Sequence, residues 1–373
     1  MKLQTKCIHS GGHRDPLTRG INTPIYTSSA YEYLDRDDQP YPRYCNTPNH
    51  SATVGKICAL EDAEGGLLFA SGMAAIATTL FTFLHQGQRG VFQDEIYGGT
   101  YQLLQQELPR QGIKAVLAKS DADSIIAAME GDIRLVYLES PTNPLLTIVD
   151  IKRITRAARE KNILTIIDNT FASPINQNPI ALGIDLVVHS GTKYLGGHSD
   201  LCCGVVVGRK ALIEKIAQSV VCYGGSLGAE GCALLERSLK TLALRVREQT
   251  TNAMEIAEFL ENDKRVSRVY YPGLKAHPGH ETALQQMHGF GAMLSFELRD
   301  CDPIRFQKKL QLIIPAMSLG GVESTITQPA TTSHEYLSKE EREKMGVVDG
   351  LLRLSVGIES VDDLMADLKR GLS

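Results

Sequence analysis

From about residue 51 the chain alternates two hydrophobic patterns. Short apolar runs at Gly66–Phe69, Ile133–Leu138, Ile163–Ile167 and Asp185–Val188 have the length of buried strands. Helix-like segments separate them. Met73–Leu84 follows Ala70-Ser71-Gly72, and Asp150 stands where an N-cap would precede the apolar face Ile151, Ile154, Ala157 and Ala158. This β-α-β rhythm predicts an α/β fold with a mostly parallel central sheet and helices on both faces. One helical stretch, Ala233–Leu260, leads to strands at Ala292–Leu298 and Leu352–Val356 and helices at Pro303–Leu310 and Val361–Leu372, a smaller α+β pattern. Residues 1 to about 50 are rich in Pro, Tyr, Asn, Asp and Arg without a sustained period, and 35–43 reads as irregular exposed chain. The expected division is an arm over 1–50, a large domain over 51–235 and a C-terminal domain over 236–373. No internal repeat or low-complexity tract interrupts it.

Composition narrows the classes. The 373 residues carry 39 Lys+Arg against 43 Asp+Glu, a net charge of −4, with 43% hydrophobic and 22% charged positions. These are the proportions of an ordinary globular chain, not a disordered one. No basic excess exists to neutralise phosphates, so no nucleic acid is expected as a partner. The N-terminus has no apolar core of a secretory signal, and the most apolar stretch, 74–84, is broken by Thr78, Thr79 and Thr82. No membrane partner and a cytoplasmic location are therefore expected. Eight scattered cysteines without a CxxC pair read as reduced core residues.

The candidate chemistry lies just after the apolar strands, where ligand crevices of such sheets form. Glu139, Asp168 and Ser190-Gly191-Thr192-Lys193 all stand there. A desolvated lysine loses part of its pKa and becomes an amine able to form a Schiff base. Hydroxyls and glycine amides beside it suit a phosphate, and the two together point to pyridoxal phosphate. Ser71-Gly72-Met73 opens a helix whose free amides would hold that phosphate; an ordinary N-cap explains it equally. Asp168 would pair with a protonated pyridine nitrogen, or else cap the following turn. Tyr97, in a glycine turn, would stack on the ring, or else be a half-buried loop aromatic. Arg353 interrupts an apolar strand and needs an anion, which is either a substrate carboxylate or an internal acid.

Eight runs then carry a resemblance: SGMAA (71–75), ESPTNP (139–144), DNTFASP (168–174), SGTKYLGGHSD (190–200), YPGLKAHPGH (271–280), GFGAMLSFEL (289–298), SLGGVES (318–324) and LRLSVGIES (352–360). Across essentially its whole length the chain resembles the Cys/Met-metabolism pyridoxal-phosphate enzymes, which include cystathionine γ-synthases, cystathionine β- and γ-lyases, methionine γ-lyases and homoserine sulfhydrylases. The resemblance implies a fold-type I enzyme, similar to aspartate aminotransferase, in a homotetramer of two active dimers. It implies Lys193 as the covalent cofactor anchor and α-proton base, Asp168 on the pyridine nitrogen and Tyr97 stacked on the ring. Gly72, Met73, Ser190 and Thr192 would bind the phosphate, joined by Tyr41 and Arg43 from a neighbouring subunit's arm. Arg353 would clamp the substrate carboxylate with Asn143 and the Ser318 loop. Tyr97 would exchange a proton with the leaving group, its phenol pKa lowered by nearby cations including Arg43.

Departures from the family bear on substrate. The arm reads Tyr41-Pro42-Arg43 and then Asn46-Thr47-Pro48-Asn49, so the loop over 45–50 is expected to run differently. Gln102 stands where many γ-synthases and cystathionine lyases have Arg. Met317 stands where γ-synthases and γ-lyases often have Glu, and Gly99 where methionine γ-lyases favour Cys. The pocket is expected to be less charged than a γ-synthase's. The expected activity is a carbon–sulfur lyase acting on cystathionine or a related sulfur amino acid, releasing thiol and ammonia. γ-Replacement, by a cystathionine γ-synthase or O-acyl-homoserine sulfhydrylase, is the alternative, and a non-catalytic relative the distant one. An unrelated nucleotide binder lacks G-x-G-x-x-G, and His277 and His280 lack a third metal ligand, so no metal is expected.

Overall fold

The computed structural model describes the 373 residues apart from positions 36, 300, 334, 336 and 337, and apart from the side chains at 341 and 344. Seven strands build the first sheet: β1 Gly65–Phe69, β2 Arg89–Gln93, β3 Lys114–Ala118, β4 Ile133–Glu139, β5 Leu164–Asp168, β6 Leu186–Ser190 and β7 Gly204–Gly208. Their order is β1-β7-β6-β5-β4-β2-β3, and β7 alone runs against the rest. The expected α/β architecture is present. The inner strands are buried almost end to end because helices cover both faces, which is why their sequences do not alternate. Ile57 and Leu60 of helix Pro48–Glu61 and Ile151 and Ile154 of helix Ile151–Glu160 pack on one face with Val187 and Val205. Ile76 and Leu80 of helix Gly72–Phe83 and Ile213 and Ile216 of helix Lys210–Tyr223 pack on the other with Ile166 and Val206. The Asp150 side chain caps its helix as expected, accepting from the Arg153 amide at 3.0 Å.

The second sheet contains β8 Val266–Tyr270, β9 Met293–Leu298, β10 Ile314–Pro315, β11 Thr325–Thr327 and β12 Leu351–Ser355, in the order β10-β11-β12-β9-β8. Only β10–β11 is parallel. Phe296 and Leu354 pack with Phe306, Leu364 and Leu368 of helices Pro303–Lys309 and Val361–Leu372. Among the described residues no helix is long and apolar enough to cross a membrane.

Three local differences from the sequence reading have physical causes. The expected helix 233–260 is two helices, Ala229–Leu239 and Leu242–Glu261. At the break the Thr241 amide turns to the Ser238 carbonyl at 3.2 Å, and that oxygen also accepts from Arg245 Nη2 at 3.0 Å. The arm is not wholly irregular. Leu3–His9 is a helix with Cys7 buried, and the fully buried Lys56 Nζ donates to the Ile8 and Ser10 carbonyls at 3.1 and 2.7 Å. The 35–43 stretch, apart from position 36, has no regular structure before the short turn Pro42–Tyr44. Residues 48–50 are not loop but the first turn of the helix Pro48–Glu61, with Asn49 and His50 buried.

Arg245 also fastens this helix to the segment after β6. Its Nη1 donates to the Tyr194 carbonyl at 2.9 Å. Gly197 faces that guanidinium with φ +70°, and a Cβ there would overlap it. Gly197→Ala is therefore expected to destabilise by about 1–2 kcal/mol through left-handed backbone and a further ~1–3 kcal/mol through overpacking. Urea midpoints of the two proteins check this, and an unchanged midpoint would contradict the contact.

Candidate active site

Parallel pairing brings the C-terminal ends of β1, β2, β4, β5 and β6 to one edge of the first sheet. Glu139 and Asp168 end neighbouring strands in register. Ser190 ends β6, and the chain turns at once into Gly191–Gly197. There the Lys193 amide bonds the Ser190 carbonyl at 3.1 Å and Gly197 bonds back to Lys193 at 2.7 Å. The Lys193 Nζ donates to Ser318 Oγ at 2.7 Å, so the second region of the chain reaches the lysine. Ser318 adopts φ 79°, and Gly320 packs so closely that a Cβ there would lie 2.8 Å from the Tyr194 nitrogen. Arg353 points in from the middle of β12, 6% exposed, and its Nη1 donates to Asn143 Oδ1 at 2.7 Å. The structure thus joins Lys193 to Ser318 and Arg353 to Asn143 through direct bonds, with Arg353 near enough to act on the Lys193 charge.

Burial sets the electrostatics. It lowers the Lys193 amine to about 8, and the nearby Arg353 cation pushes the same way, against a smaller opposing effect of Cys202. It lowers Arg353 to about 10. Asp168 is raised by burial but held back by hydrogen bonds from Thr170 and by His189. Glu139 is driven well above the carboxylate range by burial and by Asp168. The Tyr97 phenol is raised by burial and by the Asp168 and Glu139 charges. The expected lowering by neighbouring cations is thus reversed in the protein alone. Arg353 lowers Tyr97 only as its smallest influence, while Arg43 donates to the Val221 carbonyl of its own chain and stands 5.5 Å from the Tyr41 ring centroid.

The site fits pyridoxal phosphate on two observations. Arg353 Nε is buried without a partner, so the guanidinium has an edge free for a carboxylate; among the described residues no acid pairs with it. An internal salt bridge, the alternative role for Arg353, does not occur there. Gly72 and Met73 begin the helix Gly72–Phe83, where amides have no intrahelical acceptor. Ser71 Oγ caps the Ala74 amide at 3.1 Å and leaves those two open. A Cβ at 72 would lie 3.0 Å from Ser190 Cβ, so a side chain there would press against Ser190 across this cradle. Thr192 Oγ1 is engaged with the Cys203 backbone, donating to its carbonyl at 3.3 Å and accepting from its amide at 3.1 Å. Gln102 ends the helix Gly98–Gln102 exposed, and Met317 is 70% exposed beside Ser318.

Glu139 was visible as a strand-end acid but carried no assigned role. Its Oε2 accepts from the Tyr97 amide at 2.8 Å and so holds the turn that presents the ring. Tyr137 was hidden in an apolar run; its phenol is fully buried without a hydrogen-bond partner, and burial and the nearby Asp168 and Glu139 charges raise it. The cysteines are all free, but Cys202 and Cys222 are exposed rather than core residues. His277 and His280 serve their own turn: His277 Nδ1 accepts from the Gly279 amide at 3.1 Å, and His280 Nδ1 lies 2.8 Å from the Pro272 carbonyl.

Residues 4–373 match the family described as Cys/Met metabolism PLP-dependent enzyme. The chain is similar to cystathionine beta-lyase of Lactococcus lactis subsp. cremoris (strain MG1363), 44% identical over 99% of this chain and 98% of that one. It is 40% identical to cystathionine gamma-lyase of Bacillus subtilis (strain 168) over 100% and 99%. Among solved structures it is similar to cystathionine gamma-lyase from Lactobacillus plantarum complexed with L-serine, with TM-score 0.96, 41% identity and coverage of 100% and 98%. The cystathionine gamma synthase of Xanthomonas oryzae pv. oryzae in complex with cystathionine also matches, with TM-score 0.96, 37% identity and coverage of 100% and 98%.

The lowered Lys193 value has a readable consequence. The cation dominates below about 8 and the neutral amine above it, whereas an ordinary lysine would stay protonated to 10.5. Only the neutral amine attacks an aldehyde. Uptake of pyridoxal phosphate by apoprotein should therefore accelerate with pH through about 8 and level off beyond. In Arg353→Leu, which removes a neighbouring cation, the same profile should move to higher pH. Stopped-flow absorbance follows both, and superimposable profiles would refute the coupling.

Proposed function

The chain belongs to the Cys/Met-metabolism family of pyridoxal-phosphate-dependent enzymes, and we propose that it is a carbon–sulfur lyase that eliminates thiol and ammonia from cystathionine or a related sulfur amino acid. The observation that carries the reading is the Arg353 guanidinium. It is buried, bonded to Asn143 and free on its Nε edge, next to the Lys193 amine that it helps to depress. That is a seat for an α-carboxylate beside a base. Pyridoxal phosphate, when bound, supplies the electron sink that stabilises a carbanion at the substrate α-carbon.

The residues divide the remaining work. Lys193 anchors the cofactor and then serves as the base at the α-carbon, with Ser318 Oγ at 2.7 Å aiming its Nζ. Asp168 balances a protonated pyridine nitrogen. Gly72, Met73 and Ser190 form the phosphate cradle, which Thr192 joins by turning its hydroxyl from Cys203. Arg353 and Asn143 hold the α-carboxylate in two-point geometry, which orients the α-proton toward Lys193. Tyr97 passes a proton to the departing sulfur. A phenol raised by its neighbours is protonated at neutral pH and therefore suited to the acid role. Gln102 and Met317 line the distal part of the pocket without charge. In the homotetramer of this reading, a cytoplasmic enzyme, Arg43 releases its own chain's helix and, with Tyr41, completes a neighbour's phosphate site.

A second reading, γ-replacement, is favoured by the likeness to the Xanthomonas gamma synthase. A substrate panel separates the two. With cystathionine, cysteine, homocysteine, methionine and O-acyl-homoserines, the lyase reading expects ammonia, a 2-oxo acid and a thiol as main products. Faster exchange of an acyl group for a thiol would overturn it. The purified protein should be yellow and Lys193→Ala colourless; a colourless wild type that takes up no pyridoxal phosphate would defeat the enzyme reading altogether. Arg353→Leu should raise KM about a hundredfold, the cost of removing one partner of a buried charged contact.

A further inference from the structure

The chemistry above leaves one fully buried carboxylate without a task. Glu61 ends the helix Pro48–Glu61 and has no exposed surface. Its Oε1 lies 2.7 Å from His189 Nε2 and accepts from Asn169 Nδ2 at 3.1 Å. Its Oε2 is buried without a partner. A buried acid left half satisfied is destabilising, so packing alone does not account for it. What it grips is informative. Asn169 directly follows Asp168, and His189 directly precedes Ser190. The ladder continues past β5, because the Asn169 amide bonds the Val188 carbonyl at 3.0 Å. Side-chain alternation therefore sets Asn169 and His189 on the helix side of the sheet, and Asp168 and Ser190 on the cofactor side.

We propose that Glu61 is a positioning residue for the cofactor: its Oε1 ties the ends of β5 and β6 together and so fixes the spacing between Asp168 and Ser190. The proposal rests on the preceding assignment of Asp168 to the ring nitrogen and Ser190 to the phosphate. The tie has little slack. Gln177 Nε2 donates to Asn169 Oδ1 at 2.9 Å and to the Ser140 carbonyl at 2.9 Å, and Gln286 Nε2 reaches Gln177 Oε1 at 3.3 Å. Asn169 Nδ2 also donates to the Gln177 carbonyl at 3.0 Å. His189 also lies close enough to favour the ionised form of Asp168.

The test compares pyridoxal phosphate affinity of apoproteins, the visible spectrum of the loaded forms and the melting temperature of the apo forms. Glu61→Leu cuts both arms of the tie and should weaken cofactor binding about tenfold, the equivalent of one buried hydrogen bond, with a shifted visible band. Glu61→Gln keeps the acceptor and should retain most of the affinity. Should Glu61→Leu fail to fold, the double variant Glu61→Leu/His189→Leu leaves no buried charge within the tie and is expected to fold with near-wild-type stability yet lose the same affinity. Wild-type affinity and spectrum in a folded Glu61→Leu or double variant, with only the melting temperature moved, would overturn the proposal. Asp168→Asn and Ser190→Ala separate it from the reading beneath it. If both bind cofactor like wild type, that assignment and the tie fall together. If both lose affinity while the double variant does not, Glu61 alone loses its role.

Discussion

Charge gathered in one cleft, buried at Asp168 and Arg353 and half-buried at Lys193, is the constraint around which this protein is organised. Asp168, Lys193 and Arg353 all sit where the two sheets meet, and among the described residues none has an oppositely charged side chain at salt-bridge distance. Isolated buried charges are costly unless paired or hydrogen-bonded. The fold meets part of that cost with neutral groups: Thr170 on Asp168, Ser318 on Lys193 and Asn143 on Arg353. The rest appears as displaced proton affinities, with the amine brought to about 8 and the guanidinium to about 10. In the proposed function, the ring nitrogen, aldehyde and phosphate of pyridoxal phosphate and the carboxylate of an amino acid are the partners assigned to these groups. On the proposed reading, charges that the fold itself meets only with neutral groups contribute to ligand binding and reactivity.

The second sheet gives this constraint its geometry. Arg353 comes from the middle of β12 and Ser318 from the loop after β10, yet both bond residues that follow strands of the first sheet. Gly320, with φ +77° and Tyr194 against it, allows that approach. The long helix Leu242–Glu261 secures it from behind. Arg245 holds the Tyr194 carbonyl, and Gln249 Nε2 donates to the Gly321 and Val356 carbonyls at 2.7 and 3.1 Å. Lys193 is thus positioned by contacts from both regions, and neither sheet alone forms the site.

What could be read from the sequence follows from the same physics. Strands buried on both faces announce themselves as apolar runs, and a polar residue that ends or interrupts such a run stands out, so Asp168 and Ser190 at strand ends, Lys193 in the turn beyond and Arg353 inside β12 could be singled out as candidates. The cap at Asp150 was legible because its signal is local. Residues whose meaning depends on a distant partner were not. Tyr137 looks like one more apolar strand residue until Asp168 is placed beside it. Glu61 looks like a helix-end acid until β5 and β6 run beneath it. At the break at 240–241 Arg245 captures a carbonyl seven residues back, which no periodicity records. The helix Leu3–His9 is too short to show a period and is held by Lys56, nearly fifty residues on.

Substrate choice in this pocket is also indirect, as Gly99 illustrates. The position attracts attention because relatives of another specificity favour Cys there, which suggests a side chain that touches substrate. The geometry argues otherwise. A Cβ at 99 would lie 2.6 Å from Tyr97 Cε1 and 3.0 Å from Met73 Sδ. Any side chain at 99 must displace the aromatic ring or the methionine before it reaches anything else. Tyr97 is itself fixed at its amide by Glu139, so displacement rotates the ring about a held backbone rather than moving the turn. The phenol oxygen is the atom carried farthest by such a rotation, and it is the atom to which the proposed function assigns the proton exchange with the leaving group. Position 99 therefore acts through the placement of Tyr97, and glycine is the residue that leaves that ring where the strand end puts it.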